Sequence, residues 1–190
     1  MKNKGVYFLV VFSIISLLFL TLVSYKIILT LTPLDNAQQQ TIDFLQNNGQ
    51  SKQLDLKYTS SEYSHLLDVK RIMNIADVIF YISLLVFTLI ITLTKRNSNL
   101  QRKMFQIAGI TTISVLLLLV ILSLFAFNGL FTSFHQIFFP QGNWIFANDS
   151  LLITTFPTQF FIKMARNIFI LSLTSGIFLF SLSLLKKNVR

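Results

Sequence analysis

The 190-residue chain contains no cysteine. Disulfides, thiolate nucleophiles, iron–sulfur ligation and acyl-thioester intermediates on the protein are therefore excluded. Compartment stays open, because a membrane-embedded fold needs no disulfide to face an oxidising space. Charge is also scarce: 12% of residues are charged and only seven are acidic, against about a quarter charged in a soluble domain. There is no G-x-S-x-G, so no serine-hydrolase elbow is present. No G-x-x-x-x-G-K follows a strand, so there is no phosphate loop. Histidine occurs twice and tryptophan once. Repeats and low-complexity tracts are absent.

Apolar sequence is abundant, at 53% of residues with 20 phenylalanines. A run of roughly 18 or more apolar residues reads as a membrane-spanning helix. Runs at 6–31, 75–94 and 105–127 qualify readily, and 168–185 is just long enough. The first follows Lys2 and Lys4 but exceeds the roughly 7–15-residue core of a secretory signal and offers no A-x-A-like site, so it is expected to be retained. The expectation is an all-α integral membrane protein, a single domain over 1–190. It has four transmembrane helices and two interfacial extracytoplasmic loops, 32–74 and 128–167.

The net charge of +9 is a topology signal, and no nucleic-acid partner is expected. Lys2 and Lys4, then Lys95, Arg96, Lys103 and Arg102, then Lys186, Lys187 and Arg190 flank the spans with no acid among them. All seven acids lie in or beside the other two loops. Lys and Arg gather in short cytoplasmic loops, which predicts both termini inside and the two long loops outside.

Those loops hold the candidate chemistry. Asp35 or Asn36 is a plausible N-cap for a short helix ending at Gly49, and "QLDLKY" alternates like a brief extended segment. Thr59 and Glu62 fit a capping box for a helix starting near Ser60 and running into the second span. At about 100° per residue, Glu62, His65, Asp68 and Ile72 share a face. Lys70 and Arg71 lie nearer the bilayer, where their heads reach lipid phosphates or snorkel. The second loop, dense in phenylalanine and carrying His135 and Trp144, is expected at the outer interface. Both histidines thus fall on the outer side, where they are able to meet. Histidine serves as a general base, or as an interfacial side chain bonded to a carbonyl. His65, Asp68 and His135 have usable ligand spacing, but Glu62 has a capping role, Asp68 has Arg71 at i, i+3, and no second E-x-x-H exists. No metal or other cofactor is assigned.

"SSEYSHLLDVKRI" before the second span and "FHQIFFPQGNWIF…LLITTFP…FF" before the fourth resemble the bacterial lipoprotein intramolecular transacylase (Lit) family across essentially the whole chain. The resemblance implies an acyltransferase. Its substrate is a lipoprotein with a diacylglyceryl group on its N-terminal cysteine, and its reaction moves the sn-2 acyl chain to that residue's α-amino group, giving a lyso-form lipoprotein. His65, Asp68 and Lys70 match the first motif; His135, Gly142, Asn143 and Trp144 match the second. An acidic residue that the family pattern has near Pro157 is replaced here by Lys163.

On this reading His135 is the base, and His65 is its partner or the acid returning a proton to the glycerol oxygen. Asp68 orients His65, and Lys70 and Asn143 support the pair. Arg71, Gly142 and Trp144 hold substrate, with backbone N–H groups around 142–144 or the Asn143 amide as oxyanion donors. The enzyme needs membrane lipid and no obligate protein partner. Two alternatives stay open: a lipid hydrolase at the membrane interface, with or without a metal ion, and a non-catalytic membrane subunit.

Overall fold

The computed structural model describes residues 2–46 and 56–185. Its elements are α1 (Lys2–Leu31), α2 (Asn36–Gln46), α3 (Ser60–Thr94), α4 (Ser98–Phe138), α5 (Leu151–Thr155) and α6 (Thr158–Leu185). There is no strand among the described residues. Four of the helices, α1, α3, α4 and α6, are long and apolar enough to cross a membrane.

Outward-facing apolar side chains set the solvent. Leu124 and Phe125 are 76% and 86% exposed, and each would cost about 1.5–3 kcal/mol if left in water. In lipid they cost nothing, but backbone and hydroxyl groups must then be satisfied internally. Accordingly, Ser13, Ser16 and Ser24 each donate to the carbonyl four residues back. The class of fold is that of a multi-pass integral membrane protein.

Four rods pack around two apolar clusters. At the end bearing the α3–α4 connection, Phe12, Ile90, Met104, Phe105, Ala108 and Leu179 join all four. There Asn97 caps α4, and buried Gln101 donates to the Ile91 carbonyl, tying α4 to α3. α4 and α6 cross closely at Gly109 and Gly176: a Cβ on Gly109 would lie 2.7 Å from Phe180 Cβ and 2.8 Å from its backbone nitrogen. Toward the other end, Lys26 of α1 pairs with Asp77 of α3 at 2.7 Å. At that end Leu29, Ile42, Leu45, Leu66, Leu152, Phe156 and Met164 form the second cluster, which roofs the bundle with α2 and α5.

All four rods are longer than a bilayer requires. The 41 residues of α4 would extend roughly 60 Å at 1.5 Å per residue, twice a hydrocarbon core of about 30 Å. The helix breaks at Ala126 (φ −141°, ψ 33°), beside the predicted end of the span at 127. Residues 128–138, expected as loop, continue as helix beyond the break. α6 likewise begins ten residues ahead of the expected 168. Pro157 precedes its first turn and accepts from Phe160 N–H. The expected loop 128–167 is therefore mostly helix; its apolar period continues, and only residues 139–150 and 156–157 interrupt it.

The first outer segment follows its sequence signals more closely. Asp35 Oδ1 accepts from Gln38 N–H while Gln38 Oε1 accepts from Asp35 N–H, a reciprocal cap for α2. The predicted end at Gly49 lies outside the described residues, as do residues 53–55 of the predicted extended segment; residues 56–58 form no strand. Thr59 and Glu62 form the predicted capping box at the start of α3. Lys70 corrects the lipid-facing expectation: its ammonium donates to the Phe44 carbonyl at 2.8 Å and sits 4.5 Å over the Phe44 ring, fastening α2 to α3. A cation offered a carbonyl and an aromatic face exchanges hydration for fixed partners.

Candidate active site

Two helix ends and one turn build the site. His65 lies on the second turn of α3, buried at 7% exposure, on the same face as Glu62 and Asp68. His135 lies in the C-terminal part of α4, beyond the Ala126 break. Their rings are 6.3 Å apart, centroid to centroid, and inclined by 24°. Although 70 positions separate them in the sequence, the same end of the bundle brings them together.

The turn after α4 explains the Pro-Gln-Gly-Asn interruption. Gly142 N–H donates to the Phe139 carbonyl at 3.0 Å, closing a β-turn with Pro at its second position and Gly at its fourth, the preferences of type I. Gly142 has φ +79°, where a Cβ costs roughly 1–2 kcal/mol. The chain then doubles back over the histidines. The Trp144 ring lies 4.9 Å from that of His135, Phe131 lies 4.1 Å from it on the same helix, and Phe139 meets the edge of His65 at 4.7 Å.

Asp68 anchors the turn. Its Oδ2 accepts from Gln141 Nε2 and Asn143 Nδ2, each at 2.7 Å. It forms no ion pair with Arg71 among the described residues. Arg71 is exposed, so the structure does not bring it to the histidines through Asp68, and Lys70 is spent on α2. Asn143, expected as a support, holds its Oδ1 toward Gln141 at 3.1 Å as well. Two expected oxyanion donors are thereby engaged: Gly142 N–H inside its turn and Asn143 Nδ2 on Asp68. The backbone N–H groups of Asn143 and Trp144 have no acceptor among the described residues. Gln141 was missed from the sequence, where an isolated glutamine after a proline carries no signal. Phe131, at i−4 from His135, was detectable from helical spacing.

Tautomers follow from the acceptors available. His135 Nδ1 lies 2.8 Å from the Phe131 carbonyl; a carbonyl only accepts, so Nδ1 carries the proton and Nε2 keeps its lone pair. His65 Nδ1 is buried with no hydrogen-bond partner among the described residues. A bare lone pair there costs less than an orphaned N–H, which puts the proton of His65 on Nε2. The pair thus offers one accepting and one donating nitrogen.

Both rings lie outside the apolar spans 75–94 and 105–127, and both are held neutral. Burial, followed by the proximity of His135, lowers the His65 pKa to about 4, with Asp68 and the Asn143 side chain pulling the other way. Burial also lowers that of His135, opposed by the bond to Phe131. Among the described residues no group of three His, Cys, Asp or Glu side chains is arranged to hold a metal ion. Asp68 turns to the two amides, and His65 and Asp68 share no centre with His135.

The chain is thus a multi-pass membrane protein with paired imidazoles and aromatic walls at one end of its bundle. The family model described as lipoprotein intramolecular transacylase Lit matches residues 6–161, and the chain belongs to that family. It is an acyltransferase, a lipoprotein intramolecular transacylase. Its fold is similar to that of the membrane integral Lit from Bacillus cereus, with TM-score 0.83, 17% identity and 100% of both chains covered. Two substituted forms of that protein are also similar. Its His-to-Arg form gives TM-score 0.79 and 16% identity over 97% of this chain and 92% of that one. Its His-to-Ala form gives 0.78 and 16% over 97% and 94%. No match was found among curated proteins.

Proposed function

We propose that the site moves an acyl chain from the glycerol sn-2 oxygen of a diacylglyceryl lipoprotein to the α-amine of its N-terminal cysteine, with His135 as the base. The free Nε2 of His135, fixed by the Nδ1–H bond to Phe131, is the observation that carries this reading. The amine nitrogen attacks the ester carbonyl, and its proton passes to His135 Nε2. As the tetrahedral intermediate collapses, the carbon–oxygen bond to glycerol breaks and His135 returns the proton to the departing oxygen. One proton moves in and out, and nothing else is consumed.

His65 acts as the partner of His135 and not as the acid. With its pKa near 4 it is neutral at physiological pH, and releasing a proton from a neutral ring would leave an imidazolate. Its Nε2–H instead donates a hydrogen bond. The backbone N–H groups of Asn143 and Trp144 supply the oxyanion donors, an arrangement worth about 3–4 kcal/mol per donor. Because amine and ester belong to one molecule, orientation supplies much of the rest, up to roughly 7–11 kcal/mol in favourable cases.

Charge counting supports cytoplasmic termini and a site at the outer leaflet, where an exported lipoprotein presents its amine. Lys163 and Arg166, exposed on the outer part of α6, face the same lipid surface. The chain acts as one membrane domain.

A diacylglyceryl lipopeptide with a free N-terminus tests the reaction by tandem mass spectrometry. Transfer keeps the parent mass and moves one acyl group onto the N-terminal fragment. Loss of an acyl mass would mean hydrolysis, and an unchanged fragment pattern would mean no catalysis. His135→Ala is expected to abolish transfer in protein that still folds; retained transfer would sink the assignment of the base.

A further inference from the structure

Glu62 has more bonds than a helix cap needs. It is 1% exposed. Its Oε2 accepts from Thr59 N–H at 2.7 Å and from the Thr59 hydroxyl at 2.8 Å, which completes the cap. Its Oε1 reaches across 90 positions to accept Leu152 N–H at 2.8 Å. Burial alone would raise its pKa, but the bonds from Leu152, Thr59 and Leu151 outweigh burial and hold it low and ionised. One carboxylate thus serves the start of α3 and the start of α5.

The second bond bears on the site. Between His135 and Leu152 runs the segment that lays Phe139, Trp144 and Phe146 on the two histidines. Asp68 holds this segment near its start. Its far end is held at α5, by Glu62 on one side and by Gln38 of α2, which donates to the Thr155 carbonyl at 2.9 Å, on the other. Glu62 lies one turn before His65 on the same face of α3, so the tie to Leu152 fixes the segment in register with His65 itself.

We propose that Glu62 is a positioning residue for the reaction, docking the 139–152 segment so that Trp144 and its backbone N–H stand over His135. This rests on the transacylase reading, and its test includes a measurement independent of that reading. Trp144 is the only tryptophan, and a protonated imidazole in contact with an indole quenches its fluorescence. Acidifying the wild-type protein is therefore expected to dim Trp144 as His135 takes its proton.

Three variants separate docking from capping. Thr59→Ala removes cap bonds and leaves the Leu152 bond; it is expected to lower Tm while kcat and the acid quench stay at wild-type values. Glu62→Gln keeps the size but cannot accept fully on both sides. Against a Leu152→Ala control for the trimmed core side chain, Leu152→Pro leaves the cap whole and deletes the N–H, at a first-turn position where Pro is tolerated. Both are expected to lower kcat at least tenfold with KM changed less than threefold, and to lose most of the acid quench. Wild-type kcat and quench in a folded Glu62→Gln or Leu152→Pro protein would overturn the proposal, as would failure of both to fold, which would make Glu62 purely structural. Absence of acyl transfer by the wild type would sink the transacylase reading, and the quench would still decide the docking role.

Discussion

Neutral histidines fix the proton inventory of the site, and with it two consequences of pH. Both rings have pKa values below the ordinary 6.5 because burial penalises the imidazolium. The unfolded chain therefore binds more protons than the folded one between about pH 6.5 and 4, so stability falls as pH drops through that window. Thermal unfolding at pH 7, 5.5 and 4.5 should show Tm decreasing, and His65→Gln should flatten the decrease, since His65 has the value near 4. A Tm that rises on acidification would contradict the burial of both rings. Activity has a different acid limb: the attacking amine, with a pKa of about 7.7–8.0, loses its lone pair before either histidine is protonated. At this scale the sequence was only partly readable. Two histidines on one side of the membrane could be inferred from charge, and the Thr59–Glu62 cap from a four-residue pattern. The partners of Asp68, Lys70 and Glu62 could not, because Gln141, Phe44 and Leu152 lie 73, 26 and 90 positions away.

The crossing of α4 and α6 holds the rods beneath the site, and small residues make it. Gly109→Ala would put a methyl group within 2.7–2.9 Å of Phe180 Cβ, N and Cα. Backbone cannot retreat as a side-chain tip can, so a loss of about 1–3 kcal/mol is expected. Gly129→Ala is the control, because nothing lies within 4 Å of its added Cβ; in a helix it should be neutral or gain up to about 1 kcal/mol. Unfolding of both variants in the same detergent would distinguish a packing requirement from a general cost of replacing helical glycine. The apolar runs revealed the rods but not their full lengths. Polar residues such as Gln136 and Arg166 end a hydropathy window without ending a helix, and the break at Ala126 has neither proline nor glycine at its centre.

Orientation of the entire bundle rests on charge, and the absence of cysteine makes it directly measurable. Single cysteines at Asn148 and Asn99, both exposed, can be treated with a membrane-impermeant maleimide on intact cells or spheroplasts. Asn148→Cys is expected to label from outside, and Asn99→Cys only after permeabilisation. The reverse pattern would turn the site toward the cytoplasm and away from exported lipoprotein.

The break at Ala126 has a mechanical consequence for the assembly. Asp68 ties the turn to α3 and Glu62 ties the start of α5 to it, so His65, the turn and α5 are fastened to one rod. His135 must follow that rod although it sits on another. A continuous α4 would lever His135 away from His65 whenever the two rods changed tilt to suit a thicker or thinner bilayer. If the break at Ala126 flexes, it takes up the tilt while the two imidazoles keep their spacing. Across bilayers of graded acyl length, the transfer rate should therefore vary less than Tm does.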